Sequence, residues 1–187
     1  MEMLNAKGTR DISPEDKIVM DEIVSTIKDT FELYGYNPLD TPIIERFEVL
    51  SSKYAGGSEI LKETFKLRDQ GNRLLGLRYD LTVPLARFIS MNPNLKLPFK
   101  RYQIGRVFRD GPVSSNRIRE FTQCDIDVIG SKSLAYDAEI LAITNDIFRR
   151  LNFKFKVSRY SKDRLHIEIP KEYKSLFNEG EEININK

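Results

Sequence analysis

Phe99-Lys100-Arg101-Tyr102-Gln103-Ile104-Gly105-Arg106-Val107-Phe108-Arg109 leads through a short loop into Arg117-Ile118-Arg119-Glu120-Phe121-Thr122-Gln123-Cys124-Asp125-Ile126-Asp127. Phe99 to Arg109 and Glu120 to Ile129 read as two long antiparallel strands. Side chains alternate across a strand, so Phe121, Gln123, Asp125 and Asp127 share one face, and Thr122, Cys124, Ile126 and Val128 share the other. One face is chemical and the other apolar. Between Lys96 and Arg119 stand seven basic side chains, namely Lys96, Lys100, Arg101, Arg106, Arg109, Arg117 and Arg119, against the single acid Asp110. The whole chain is nearly balanced, with 30 Lys and Arg against 28 Asp and Glu. Such a local concentration points to a polyanion, most economically a nucleoside triphosphate. Carboxylates beside it suit an ammonium or an imidazole, and an aromatic ring can stack on a purine. The plainer alternative is a sheet with its polar face in water.

Outward from this hairpin the order of elements is mixed. Ser13 suits a helix cap, Pro14 the first helical position, Glu15 and Asp16 the positive helix end, and Gly35 follows the last turn. The spacing predicts a helix from about Pro14 to Tyr34, with Ile18, Val19, Ile23, Ile27, Phe31 and Tyr34 as its buried stripe. An extended segment is expected at Thr41 to Ile44 and a helix at Phe47 to Tyr54, before the Gly56-Gly57-Ser58 break. Thr64 to Arg68 and Arg73 to Leu77 flank Asp69-Gln70-Gly71-Asn72 as a hairpin, with glycine available for positive φ. A helix is predicted from Pro84 to Met91, another from Leu134 to Leu151, and a strand at Phe153 to Val157. This is an α+β arrangement on an antiparallel sheet rather than a doubly wound parallel fold.

Composition excludes several classes. A chain of 187 residues can bury one sizeable core. Its single cysteine, Cys124, forms no intramolecular disulfide and fits a reducing compartment, and one histidine, His166, argues against a zinc site. No bound metal is expected from the protein side. No apolar run approaches a membrane span, and the N-terminus lacks the apolar core of a signal peptide. The expectation is a soluble cytoplasmic protein.

The motifs Lys7-Gly8-Thr9-Arg10-Asp11, Tyr34-Gly35-Tyr36, Thr41-Pro42-Ile43-Ile44-Glu45, Leu77-Arg78-Tyr79-Asp80-Leu81-Thr82, Arg119-Glu120-Phe121 and Gln123-Cys124-Asp125-Ile126-Asp127 occur in this order. Together they resemble the N-terminal catalytic part of the histidyl-tRNA synthetase family, class II aminoacyl-tRNA synthetases, in its archaeal and eukaryotic style. The resemblance implies a truncated class II antiparallel sheet with flanking helices over residues 1–157, carrying motifs 1 and 2, and a divergent, β-rich tail over 158–187. It implies a ligase that activates histidine with ATP, accompanied by Mg²⁺, and passes the histidyl group to tRNA(His). It also implies a homodimer formed around Pro42, or a partner chain supplying the missing half. By position, Arg109 matches the motif 2 arginine that binds the α-phosphate and stabilises charge during attack. Arg117 matches a loop arginine for the outer phosphates, and Phe121 the ring that stacks on adenine. Asp80, Thr82 and Gln123 match residues holding the ammonium and carboxylate end of histidine, and Asp127 the acid that reads its imidazole.

Each residue also has a plainer use. Arg109 can pair with Asp110 or another carboxylate, Phe121 can be core, Asp80 and Thr82 can cap the following helix, and Lys7 to Asp11 can be a polar leader. Cys124, on the apolar face, is expected in the core without a redox role. The pattern also departs from the family. Gly111 stands where an acidic residue is usual, and Asn116 and Ile118 replace glycine and tyrosine. After Val157 the remaining synthetase motifs and the anticodon-binding domain do not follow within these residues. The tail reads instead as a strand with a solvent-facing His166, a Lys171 to Phe177 helical turn and a Glu181 to Asn186 strand, unrelated to the family. These departures keep open a non-charging paralogue, like the regulatory subunit of ATP phosphoribosyltransferase, and an incomplete fragment with an unpaired sheet edge.

Overall fold

The computed structural model describes residues 2–52, 59–114, 117–153, 156–161 and 164–168. Its first helix, α1 (Pro14–Leu33), begins as the capping chemistry predicts: Ser13 Oγ accepts from the Asp16 N–H at 3.2 Å. It ends before Gly35, whose φ of 77° suits a glycine after a helix C-terminus. β1 (Asn37–Pro38), β2 (Ile44–Arg46), α2 (Phe47–Ser52) and α3 (Glu59–Lys62) follow. Then come β3 (Lys66–Arg68), β4 (Leu74–Leu77), α4 (Thr82–Met91), β5 (Phe99–Phe108), β6 (Glu120–Ile129) and α5 (Ala135–Arg150). The hairpin of β7 (Lys156–Ser161) and β8 (Arg164–Glu168) closes the described chain.

The long antiparallel pair forms as expected, with Arg101 opposite Asp127, Gln103 opposite Asp125, Gly105 opposite Gln123 and Val107 opposite Phe121. β1 extends this sheet, but in parallel to β5, giving the order β1-β5-β6. A second, antiparallel sheet has the order β2-β4-β3. The apolar face of β5 and β6 packs under the helices: Phe31, Tyr36, Tyr102 and Ile143 form a buried cluster with Ile27, Tyr34, Ile104, Ile126, Val128 and Ile147 against it. Polar tips in this layer are satisfied at its rim. Tyr34 donates to Asp146 at 2.6 Å, Tyr36 to Glu139 at 2.9 Å and Tyr102 to Glu32 at 2.6 Å. Helices thus cover one face of the sheet, and the other face turns toward the Arg78 to Leu81 segment and α4.

Several expectations change. Only the second half of α1 reaches the core, so Ile18 is 65% and Val19 55% exposed, and Ile23 is also outside. Cys124 is exposed rather than in the core, at the point where the apolar face gives way to the exposed Thr122 and Arg106 pair. Of Thr41 to Ile44 only Ile44 is in a strand. In the β3–β4 turn it is Asn72, with φ of 59°, that takes the left-handed conformation instead of Gly71. Asparagine tolerates that region well, and Asp69 braces the turn by accepting from Arg73 N–H at 2.9 Å. The strand expected at Phe153 to Val157 is displaced to β7, and tail residues Arg164–Glu168 pair with it. The break at Gly56 to Ser58, the Lys171 to Phe177 turn, the Glu181 to Asn186 strand and Asn116 lie outside the described residues, as does the His166 side chain.

Candidate functional site

The face of β5 and β6 turned away from the helices carries Arg101, Gln103, Gly105 and Val107 on one strand and Phe121, Gln123, Asp125 and Asp127 on the other. Arg109 continues the row, its N–H bonded to the Arg119 carbonyl at 2.9 Å. Gly105 lets the neighbouring segment come close. A Cβ there would overlap the Arg78 guanidinium and lie 3.7 Å from Leu81. Arg78, itself buried, donates to the Thr41 carbonyl at 2.6 Å and the Arg106 carbonyl at 2.7 Å. Those bonds fasten the Tyr79-Asp80-Leu81-Thr82 turn beside the row that holds Gln123.

The basic cluster is largely neutralised internally. Lys100 pairs with Glu139 at 2.7 Å, Arg101 with Asp127 at 2.5 Å, Arg117 with Glu63 at 2.6 Å, Arg119 with Asp110 at 3.0 Å, and Arg106 with Glu120. Arg109 differs, since no salt bridge joins it to a carboxylate among the described residues. Its guanidinium carbon lies 4.5 Å from the centre of the Tyr79 ring and 4.8 Å from that of Phe121. The expected alternative of an Arg109–Asp110 pair is not formed, because Asp110 is taken by Arg119. Phe121 is accordingly half-buried under a cation rather than lost in the core.

Hydrogen-bond accounting singles out this face. Buried side-chain atoms without a hydrogen bond among the described residues are Nε, Nη1 and Nη2 of Arg101, Nε of Arg109, Oε1 of Gln123 and Oδ2 of Asp127, of which Arg101 Nη2 and Asp127 Oδ2 meet each other as an ion pair. All four residues belong to the chemical row. By contrast Gln103, in the same row, is fully engaged with Thr41 Oγ1 and Asp40 Oδ1, each at 3.0 Å. Buried polar atoms are normally paired, so their concentration on one face marks a surface built for something else to complete. Burial pushes the Asp127 carboxyl up, and the Arg101 guanidinium pulls it back down.

The remaining predicted residues surround the row. Asp80 Oδ1 accepts from the Val83 N–H at 2.9 Å at the start of α4, so the capping use is real; Thr82, the first residue of that helix, is exposed. Arg117 lies on the loop with both carboxylate oxygens of Glu63 within 2.8 Å. Glu63 also accepts from the Tyr79 hydroxyl at 3.2 Å. A Cβ on Gly111 would come 2.9 Å from the Glu63 carboxyl. Glu63 therefore occupies the space beside the position whose acid is missing. Lys7 to Asp11 is more than a leader: the Gly8 carbonyl, at a φ of 83°, accepts from the Arg119 N–H at 2.7 Å. Glu63, Tyr79 and Arg101 are contributors that sequence reasoning passed over. The lone arginine opposite an acid in the strand register was the available signal for Arg101. No group of three or more His, Cys, Asp or Glu able to hold a metal occurs among the described residues, and no helix there is long and apolar enough to cross a membrane.

Comparison with known proteins agrees with this geometry. The chain is 49% identical over 180 residues to histidine–tRNA ligase 1 of Bacillus cereus, covering 94% of this chain and 42% of that protein. That coverage carries the likeness into the tail, which was expected to be unrelated. Histidyl-tRNA synthetase from Nostoc sp. PCC 7120 superposes with a TM-score of 0.72 at 35% identity, over 83% of this chain and 36% of that one. A protein of Bacillus halodurans described as an ATP phosphoribosyltransferase regulatory subunit/histidyl-tRNA synthetase gives 0.69 at 27% identity, over 84% of this chain and 41% of that one. The chain thus spans about two fifths of the length of such relatives. The family model for histidyl-tRNA synthetase matches residues 8–158, and with the antiparallel sheet and its incomplete polar row this shows that the chain belongs to the histidyl-tRNA synthetase family.

Proposed function

We propose that this chain carries the motif 1 and motif 2 part of a histidine-activating site, in which ATP and histidine meet on the polar face of β5 and β6. The observation that carries this reading is the pair of buried atoms without a hydrogen bond, Arg109 Nε and Gln123 Oε1, in one row with the part-exposed Asp127 carboxylate. Arg109 would bind the α-phosphate while a histidine carboxylate oxygen attacks phosphorus and pyrophosphate leaves. Its contribution is electrostatic, since negative charge accumulates on the phosphate oxygens. Phe121 would take the adenine, which requires the Arg109 guanidinium to leave the ring it now covers. Arg117 would reach the outer phosphates after leaving Glu63. Asp80, Thr82 and Gln123 would hold the ammonium and carboxylate end of histidine, and Asp127 the imidazole.

Mg²⁺ is expected to arrive with ATP on the phosphate oxygens, as is usual for this ion, and no step is assigned to a metal held by the protein. Transfer to tRNA(His) belongs to a complete enzyme, formed by a homodimer or a partner chain in the cytoplasm. A groove of about 580 Å³ along Asp40, Thr41, Pro42, Ile43, Ile44 and Arg78 fits the dimer contact expected around Pro42.

A second reading is a histidine- or nucleotide-binding regulatory subunit that does not charge tRNA. Gly111 and the likeness to the Bacillus halodurans protein favour it. Calorimetric titration with L-histidine and with ATP and Mg²⁺ tests both readings. The activating site predicts binding of both ligands, weakened by Asp127→Ala for histidine and by Arg109→Ala for ATP. Histidine binding without any ATP binding would favour the regulatory reading, and binding of neither would overturn the site.

A further inference from the structure

We infer that Arg101 is the positioning residue for the imidazole end of the site, a buried cation set behind Asp127 that keeps its carboxylate ionised and in place. This rests on the reading that Asp127 receives the ligand's ring. Arg101 is 0% exposed, whereas the Asp127 side chain keeps 33% of its surface. A ligand can therefore reach the carboxylate but not the guanidinium behind it. The two residues face each other in the β5–β6 register, and Nη2 lies 2.5 Å from Oδ2. Yet no guanidinium nitrogen of Arg101 makes a hydrogen bond to described residues, so the contact acts through charge.

A buried ion pair lacking supporting hydrogen bonds is a poor way to stabilise a fold, and apolar replacements commonly serve as well. Its use is at the carboxylate. Asp127 is pushed toward the neutral acid by burial, with Asp125 two residues along the same strand as a second negative charge on Arg101. From the segment after α1, Tyr36 in the core layer also feels the Asp127 charge, and its hydroxyl is held by Glu139 of α5, which in turn is balanced by Lys100 of β5. Arg101 is the cation that opposes these influences. Arginine suits the place because a guanidinium stays protonated when buried, while a buried lysine readily gives up its proton.

The test uses the full chain with ¹³C-carboxyl-labelled aspartate, following Asp127 by NMR titration and L-histidine binding by calorimetry from pH 4.5 to 8. In Arg101→Met the Asp127 titration and the acid limb of histidine binding should both move up by about one to three pH units, the range expected for losing an opposite charge at this distance. Arg101→Lys should give a smaller upward move, and Arg101→Met in an Asp127→Asn background should add no further change to the pH profile. If Arg101→Met does not fold, Arg101→Lys carries the comparison. Unmoved titration in the folded variants overturns the role of Arg101 while leaving the histidine site standing. Failure of the parent to bind histidine at any pH overturns the site reading, and the inference with it.

Discussion

Replacing Arg109 separates its structural from its chemical contribution. In the ligand-free chain its guanidinium is held by two rings, at 4.5 and 4.8 Å from their centres, and its Nε has no hydrogen-bond partner. Two such half-desolvated contacts are worth about 1–2 kcal/mol together. Arg109→Ala should therefore lower the unfolding midpoint by roughly 2–8 °C for a chain of this size. Its loss from the phosphate site is larger. One charge-assisted hydrogen bond at about 1.5–3 kcal/mol corresponds to a roughly 10- to 150-fold weaker affinity for ATP. Arg109→Lys keeps the charge but loses the planar fork and the flat face that stacks, so it should recover only a minor part of that affinity. Calorimetric titration of ATP with Mg²⁺ into parent, Ala and Lys proteins, alongside thermal unfolding, reads both effects. ATP affinity within twofold of the parent in Arg109→Ala would refute the assignment. A stability loss above about 4 kcal/mol would show Arg109 to be an element of the fold instead, since cation–π contacts do not supply so much.

Gly111→Ala should detach Glu63 from Arg117, because the new Cβ would sit 2.9 Å from the Glu63 carboxyl and 3.1 Å from Arg117 Nη2. Both are ends of flexible side chains, and Arg117 is half exposed, so urea denaturation should register a loss of about 1 kcal/mol or less; outright unfolding would contradict this. Glu45→Ala should cost far more, about 3–5 kcal/mol, since Arg87 grips this 5%-exposed carboxylate with bonds of 2.7–2.9 Å and would be left unpaired. Replacing both partners by apolar residues should restore most of that stability in the same denaturation series. A polypeptide of these 187 residues alone should not charge tRNA(His), because it spans only 42% of its Bacillus cereus relative. Acid-stable histidyl-tRNA formed by the purified chain would reverse that expectation.

Capping chemistry and period-two alternation are local, and they were legible. Ser13 and Pro14 fixed the start of α1, and the residues of β6 fall on the two faces that their polarity assigns. Local rules failed where packing decides. Ile18 and Val19 have helical spacing with Phe31, yet nothing in the described chain covers their end of α1. Gly71 had the more permissive backbone, but Asp69 and Arg73 brace the turn in a form that gives positive φ to Asn72.

By itself the sequence determined the polar row Phe121, Gln123, Asp125 and Asp127 and the family to which it belongs. It does so because strand periodicity and motif order are properties of the chain in one dimension. Only the tertiary structure decided what each charge does. Arg117 meets Glu63 across 54 positions, Arg101 is sealed behind Asp127, and Arg109 rests on two rings from different elements. Charge pairing depends on which side chains come within a few ångströms after folding and how much water is left between them. Seven cations that read as one anion site are, once folded, mostly internal partners, with Arg109 held against rings beside an unfinished polar face.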